Sequence, residues 1–487
     1  MHVRPRTFVA PLALVAMIGA SIATGTAMGT ATTNGYGATA APLSNASLAC
    51  AWPVESTPAK ANVAYPDSNA TYWTTPYVAA PGMTITIAGN YPTARFFSID
   101  TYASNAQSFS LNGVGSALSD FQINPDAGSA NGWQTPGAAN GGAYTVTLTN
   151  DVATGMPNVI QLAPATPTTP LLKAMPATTG FVMVRVYLPQ GGNADNPAVV
   201  PLPTMTINTP GAAPRVLTPC ANSQKAPSKA SKVVKKAIGV IANAILGANG
   251  KFAGPPPCTT NCTAQLQFSR AGGTTTPFPN AASGYAAALY TPAKGYLTVM
   301  RATMPLSATA TGSAPAVWPT ATNQALWPSP TLDLRYWSVC NYIYKVPYPV
   351  VKVGKKMGCI ADQAVTLSGS AGNVANVVLS SPTDRPAATR KTGSPVAWLP
   401  TSVSNTTSQE VIAIRNMLPN SQPAPGFANS VTNVTTYNDA AAAQAVMQQY
   451  YPTAVQCTTA TFRRGAARGG ALGGANACFN NPVTPRT

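Results

Sequence analysis

The sequence predicts an all-β protein made of two tandem β-sandwich or jelly-roll domains, and three observations lead there. Charged residues are only 8% of the 487-residue chain, against roughly 25% in ordinary globular proteins. In their place stand 47 Pro, 39 Gly and many Ala, Thr, Ser and Asn, a composition suited to short strands and frequent turns. Segments such as "MTITIAG" (83–89) and "TVTLT" (145–149) alternate with the period of two that a half-buried strand requires. Finally, one set of landmarks is written twice, in the same order, and such internal repetition sets the architecture.

Taken from the N-terminus, residues 1–40 read as an export leader. Arg4 and Arg6 precede the apolar run 8–22, and small residues follow, with cleavage near Ala27 or Ala40. This is the layout of a secretory signal peptide rather than of a membrane span. No later run reaches the roughly 20 apolar residues of a spanning helix.

Domain 1, residues 50–220, contains "RFFSIDTY", "LSDFQINPDAGS", "AYTVTLTND" and "FVMVRVYLP". Domain 2, residues 258–457, contains "RYWSVCNY", "IADQAVTLSGS", "NVANVVLSSPTD" and "EVIAIRNMLP". Arg95 thus corresponds to Arg335, Asp120 to Asp362, Arg185 to Arg415, and Leu188-Pro189 to Leu418-Pro419; the Arg-to-Arg spacings are 90 and 80 residues. In "FVMVRVYL", Phe181, Met183, Arg185 and Tyr187 share one face, and Val182, Val184, Val186 and Leu188 the other. Short strands punctuated by Pro and Gly clusters argue for sandwiches.

Residues 221–257 form a linker of different composition. Between Lys225 and Phe252, Val233, Val234, Ala237, Ile238, Ile241 and Ile245 recur at helical spacing among Lys residues. Two fates are open to this basic helix: docking between the domains, or lying on an anionic membrane surface. A further helix is expected over 439–451 with Asp439 as N-cap. The Gly/Arg-rich tail, 458–487, is expected to be a disulfide-closed loop.

Domain 2 resembles the bacterial family known as domain of unknown function 1214, on "LDLRYWSVCNY" (332–342), "WLP" (398–400) and "IRNMLP" (414–419). Members of that family often carry a companion domain, number 1254, upstream. Domain 1 has no Trp-Leu-Pro turn. The resemblance implies a β-rich fold and export, and no particular reaction.

Eight Cys follow the leader: Cys50, Cys220, Cys258, Cys262, Cys340, Cys359, Cys457 and Cys478. An even number in an exported chain reads as four disulfides. Sequence neighbours suggest Cys340–Cys359 and Cys457–Cys478, Cys50 and Cys220 bracket the first repeat, and Cys258 and Cys262 remain. A zinc site is the rival, but the sole His is His2, inside the leader. The same fact excludes Ser-His-Asp triads and Cys-His dyads. No metal or cofactor motif appears.

The repeated Arg residues, Arg95, Arg185, Arg335 and Arg415, lie in apolar strands, where a charge needs a partner. Asp120 and Asp362 are the repeated carboxylates. One reading is a bidentate Arg–Asp clamp between adjacent strands; the other is an anion-binding Arg pair opening into a cleft. Trp133, Trp318 and Trp327 stand in polar or Pro-rich loops, either as stacking platforms for a ligand or folded back over a sandwich edge.

The net charge of +17 favours polyanions. The expectation is therefore a secreted or envelope-associated, non-enzymatic binding protein. Its preferred ligand class is an anionic glycan or cell-envelope polymer, with no cofactor and no nucleic acid. Membrane-surface contact through 225–252 and a His-free carbohydrate-active enzyme using paired Asp are the alternatives, the second needing two carboxyls about one bond.

Overall fold

The computed structural model describes residues 43–221 and 265–483, apart from 60–61, 63–64, 136, 139–140, 171–174, 193, 273–277, 308–325, 346–347, 403–408 and 422–425. The leader, the linker helix, Trp318, Cys258 and Cys262 lie outside the described residues.

The first repeat has strands β1 (Val54–Ser56), β2 (Ala70–Val78), β3 (Thr84–Asn90), β4 (Ala94–Tyr102), β5 (Ser110–Leu111), β6 (Val114–Gly115), β7 (Ala117–Ser119), β8 (Ala143–Thr149), β9 (Val159–Gln161), β10 (Thr179–Pro189), β11 (Thr204–Asn208) and β12 (Arg215–Leu217). They form one sheet in the order β1-β2-β10-β4-β7 and a second in the order β12-β11-β3-β8-β9, with β5 and β6 as a separate hairpin.

The second repeat has β13 (Ser269–Arg270), β14 (Ser283–Tyr290), β15 (Tyr296–Thr303), β16 (Leu334–Ile343), β17 (Lys352–Val353), β18 (Lys356–Met357), β19 (Cys359–Ala361), β20 (Val374–Ser380), β21 (Ala397–Pro400), β22 (Glu410–Pro419) and β23 (Thr453–Thr458). Its sheets run β13-β14-β22-β16-β19 and β21-β20-β15-β23, with β17 and β18 as a hairpin. The all-β class holds, and the repeats match strand for strand except for β12, which has no counterpart strand among the described residues of the second repeat. Even the parallel pairs β8–β9 and β20–β21 recur at the same place among antiparallel ladders.

Period-two alternation explains the cores. Val182, Val184 and Val186 of β10 point inward with Ile85, Ile87, Val146 and Leu148. Ile412 and Ile414 of β22 do the same with Trp337, Val377 and Leu379. The opposite faces of the two inner sheets meet each other through Phe96, Tyr187, Tyr336 and Met417, joined by Leu188 and Leu418, whose left-handed backbone (φ 46° and 49°) takes Leu188 off the valine face expected from strand alternation. The result is four stacked layers, with each inner sheet buried on both faces. Every residue of β4 and of β10 is buried. That is why "RFFSIDTY" and "FVMVRVYL" lack the polar alternation of the outer strands, since a sheet covered on both sides selects near-continuous apolar runs.

Disulfides Cys50–Cys220, Cys340–Cys359 and Cys457–Cys478 are present among the described residues. Helix α1 (Ala440–Met447) starts where expected: the Asp439 side chain accepts from Ala442 N at 3.0 Å, and Ala443 and Met447 are buried. The tail differs from the expected loop. It is helix α2 (Thr459–Asn480), broken at Gly469 and Gly470 into two arms. Gly residues disfavour helix in isolation, which makes the segment read as a loop. Here they allow the arms to touch: a Cβ on Gly465 would lie 2.3 Å from the carbonyl oxygen of Gly473. Phe462, Ala471 and Ala475 then cover the outer sheet at Val299, Val455 and Trp398.

Candidate functional site

The predicted Arg and Asp residues converge on the contact between the inner sheets. Asp120 and Asp362 each open a one-turn 3-10 helix directly after β7 and β19. Neither carboxylate takes its Arg from an adjacent strand of its own sheet, where Asp120 accepts only a backbone hydrogen bond from Phe97 N at 3.0 Å. Arg95 reaches across to Asp362 at 2.8 Å, and Arg335 reaches across to Asp120 at 2.9 and 3.0 Å. Each Arg also donates to the other's backbone carbonyl, at 3.1 and 3.3 Å. The physical reason is the second burial: a side chain on the far face of an inner sheet has the other repeat, not water, as its surroundings. Burial pushes Asp120 up against the pull of Arg335, and pushes Arg335 down to about 10, still cationic at neutral pH.

Trp133 and Trp327 are not exposed platforms. Both are buried, 4% accessible, and their rings lie 3.6 and 4.9 Å from the Arg335 guanidinium carbon. Trp327 N donates to Trp133 O at 2.8 Å, tying the two loops together. The indoles enclose a desolvated cation, which a polar, Pro-rich loop sequence does not reveal.

Arg185 and Arg415 occupy the two ends of the same contact. Arg185 Nε stands 3.2 Å from Asp100 Oδ2, an ion pair without hydrogen-bond alignment, and its Nη2 bonds Tyr102 and the Phe278 carbonyl. Arg415 donates to Tyr187 at 2.6 Å and stands 3.7 Å from Asp67. Asp67 reaches in from the loop before β2, where it also accepts from Tyr336 and Ser338. Asp67 has no counterpart carboxylate in the second repeat, so repeat matching cannot find it; the parity of β4 places Asp100 on the Ser98 face.

Beside Asp100 a cleft of about 270 Å³ opens at the edge of the contact, lined by Ser98, Phe121, Gln122, Asn280 and Leu418 among others. Asp100 is the one carboxylate among its described lining residues, whereas glycoside hydrolysis needs two. Burial pushes Asp100 up, opposed by Arg185 and Ser98. Away from this contact, Glu410 is fully buried in the second core, accepting from Asn341 at 2.6 Å, Ser402 N at 2.6 Å and Tyr290 at 2.9 Å. Burial pushes it up to about 7.

Charge is divided unevenly. Residues 43–221 carry five basic and seven acidic side chains, and residues 265–483 carry fifteen and five. Exposed cations gather on the outer side of the second repeat: Lys352, Lys355 and Lys356 on the β17–β18 hairpin, Arg390 and Lys391 after β20, and Arg463, Arg464 and Arg468 on α2. The hairpin touches β21, and the turn at 387–390 touches α2, so these groups are continuous. Arg385 lies over Trp398 at 4.4 Å. Burial and then Arg385 push Lys356 down; burial and then Arg390 push Arg385 down.

No family model and no curated protein matches the chain. Solved structures similar to it include the following two. One is an uncharacterized protein from Burkholderia cenocepacia, at 11% identity and a TM-score of 0.45, covering 92% of this chain and 88% of that one. The other is the VPA0106 protein from Vibrio parahaemolyticus, at 10% identity and a TM-score of 0.38, covering 80% and 90%. Neither description states an activity.

Proposed function

We propose that this is an exported, non-enzymatic binding protein that holds an anionic cell-envelope polymer, preferably an acidic glycan, on the outer face of its second repeat. The observation that carries the reading is the run of cations on the β17–β18 hairpin, the 385–391 turn and α2, none of which makes an ion pair with a described residue. Like charges packed together lower one another's proton affinity, and an added polyanion relieves that repulsion. Export is supported by the leader sequence, by three disulfides and by the resemblance to domain 1214. No described helix is long and apolar enough to cross a membrane.

The test is heparin affinity of the mature protein at low and physiological salt, with neutral dextran as control. Binding should weaken as salt rises, because exposed charges are screened over about 8–10 Å at physiological ionic strength. It should fall sharply in Arg463→Glu/Arg464→Glu/Arg468→Glu. Absence of heparin binding, or binding unchanged by the triple substitution, refutes the assignment. Anionic vesicles are the parallel arm: salt-resistant vesicle binding would favour a membrane surface instead.

A further inference from the structure

The two ends of the inner contact correspond through the repeat, yet only one is filled. Ladder register pairs Asp100 with Ala117 in the first repeat and Cys340 with Cys359 in the second. The loop before β14 matches the loop before β2: Leu418 N donates to Ala282 O as Leu188 N donates to Asn69 O. Asn280 therefore corresponds to Asp67, and the same local turn recurs, with Ala282 N donating to Asn280 Oδ1 and Asn69 N to Asp67 Oδ1, both at 2.9 Å.

At the Arg415 end, Asp67 is saturated. It accepts from Asn69 N, Asn69 Nδ2, Tyr336 and Ser338, and the disulfide Cys340–Cys359 occupies the adjoining strand positions. At the Arg185 end, Asp100 and Ala117 take the places of that disulfide, Phe96 stands where Tyr336 does, and Ala282 where Asn69 does. Space is left, and it is the cleft of about 270 Å³. Asn280 is 8% exposed, and its Nδ2 has no hydrogen-bond partner among the described residues. Its Oδ1 is held by Ala282 N, which fixes the amide with the donor end unengaged. A buried donor without an acceptor is rare in native proteins and marks a missing partner.

We propose that this cleft is a binding site for one small, neutral, polyhydroxylated molecule of monosaccharide size. Asn280 Nδ2 requires an acceptor and Asp100 offers an acceptor to a donor, and a hydroxyl is both. Arg185 already balances the Asp100 charge, so the lining is neutral and selects against an ionised ligand. Phe121 and Leu418 supply an apolar wall for the C–H face of a ring. The volume of about 270 Å³ gives room for one sugar-sized ring. Small polar ligands commonly bind at such domain junctions. The site is separate from the basic outer face and uses none of its residues.

The experiment is calorimetric or saturation-transfer titration of the mature protein with neutral hexoses and myo-inositol, alongside glucuronate and glucosamine. Saturable binding of at least one neutral polyol is expected, with the two charged sugars weaker. Asn280→Ala removes the donor, and Ala117→Leu fills the cleft without touching a hydrogen bond; each should weaken binding by about tenfold or more. Circular dichroism melts confirm that both variants fold. No saturable binding of any neutral polyol, a preference for a charged sugar, or affinity unchanged in both folded variants overturns the proposal. Heparin binding by the same preparations reads the outer face independently.

Discussion

Replacing Arg335 by Met tests whether the exchanged ion pairs hold the two repeats together. Arg335 and Asp120 are each 2% accessible, so water cannot solvate whichever charge is left behind. After Arg335→Met, Asp120 keeps only the backbone donors Phe97 N at 3.0 Å and Phe121 N at 2.7 Å. Breaking a buried pair in this way costs about 3–5 kcal/mol. Loss of the cation between Trp133 and Trp327 adds roughly 0.5–2 kcal/mol. At about 2–4 °C per kcal/mol, the melting temperature should drop by roughly 10 °C. Asp120→Asn should cost a similar amount by stranding the guanidinium. The double variant buries no unpaired charge, so its loss should fall short of the sum by roughly 2–3 kcal/mol. Urea unfolding followed by tryptophan fluorescence measures all four corners of the cycle. Additive losses, or a single-variant cost below about 1 kcal/mol, would refute the reasoning.

Four further outcomes are expected. Glu410 sits at about 7 when folded and near 4.3 when unfolded. The folded state therefore keeps a proton the unfolded state has lost, and stability should fall by about 3 kcal/mol as pH rises from about 4.5 to about 7; Glu410→Gln should remove most of that slope, and an unchanged slope would point to another group. Thiol titration of denatured, unreduced mature protein should give close to zero. Cys→Ser removal of Cys50–Cys220, spanning 170 residues, should cost about 5 kcal/mol, against about 3 for Cys340–Cys359, spanning 19; the reverse order of midpoints in urea would contradict the loop-entropy account. Gly465→Ala should part the arms of α2 at a cost of about 1–3 kcal/mol, read as faster proteolysis within 459–483, with the sheets left intact.

The all-β class, the duplication, the three described disulfides and the cap at Asp439 were legible because each rests on local pattern or on repetition. The stacking of inner sheet on inner sheet was written less openly, in the apolar residues on both faces of "FVMVRVYL". What local pattern does not encode is which partner covers a face. Hence the sequence offers Asp120 as a partner for a buried Arg without showing that the Arg is Arg335 of the other repeat, and it leaves Trp133 and Trp327 open between ligand platform and folded-back loop without showing the buried cation they cover. The α2 hairpin was hidden for a different reason: its glycines lower helix propensity while permitting the backbone approach that stabilises it.

Arg95 meets Asp362 and Arg335 meets Asp120, so each repeat gives the other a cation and receives a carboxylate. A surface on which residue i meets j while j meets i is the signature of a two-fold axis between identical subunits. Here that homodimer-like surface is folded from one polypeptide. Under strict symmetry, any change at one end of such a surface is forced on the other: opening a cavity opens two, and sealing one seals both. Covalent joining lifts that constraint. It lets Cys340–Cys359 and Asp67 close one end while Asp100, Ala117 and Asn280 leave the other open, a division of labour unavailable to two copies of the same chain.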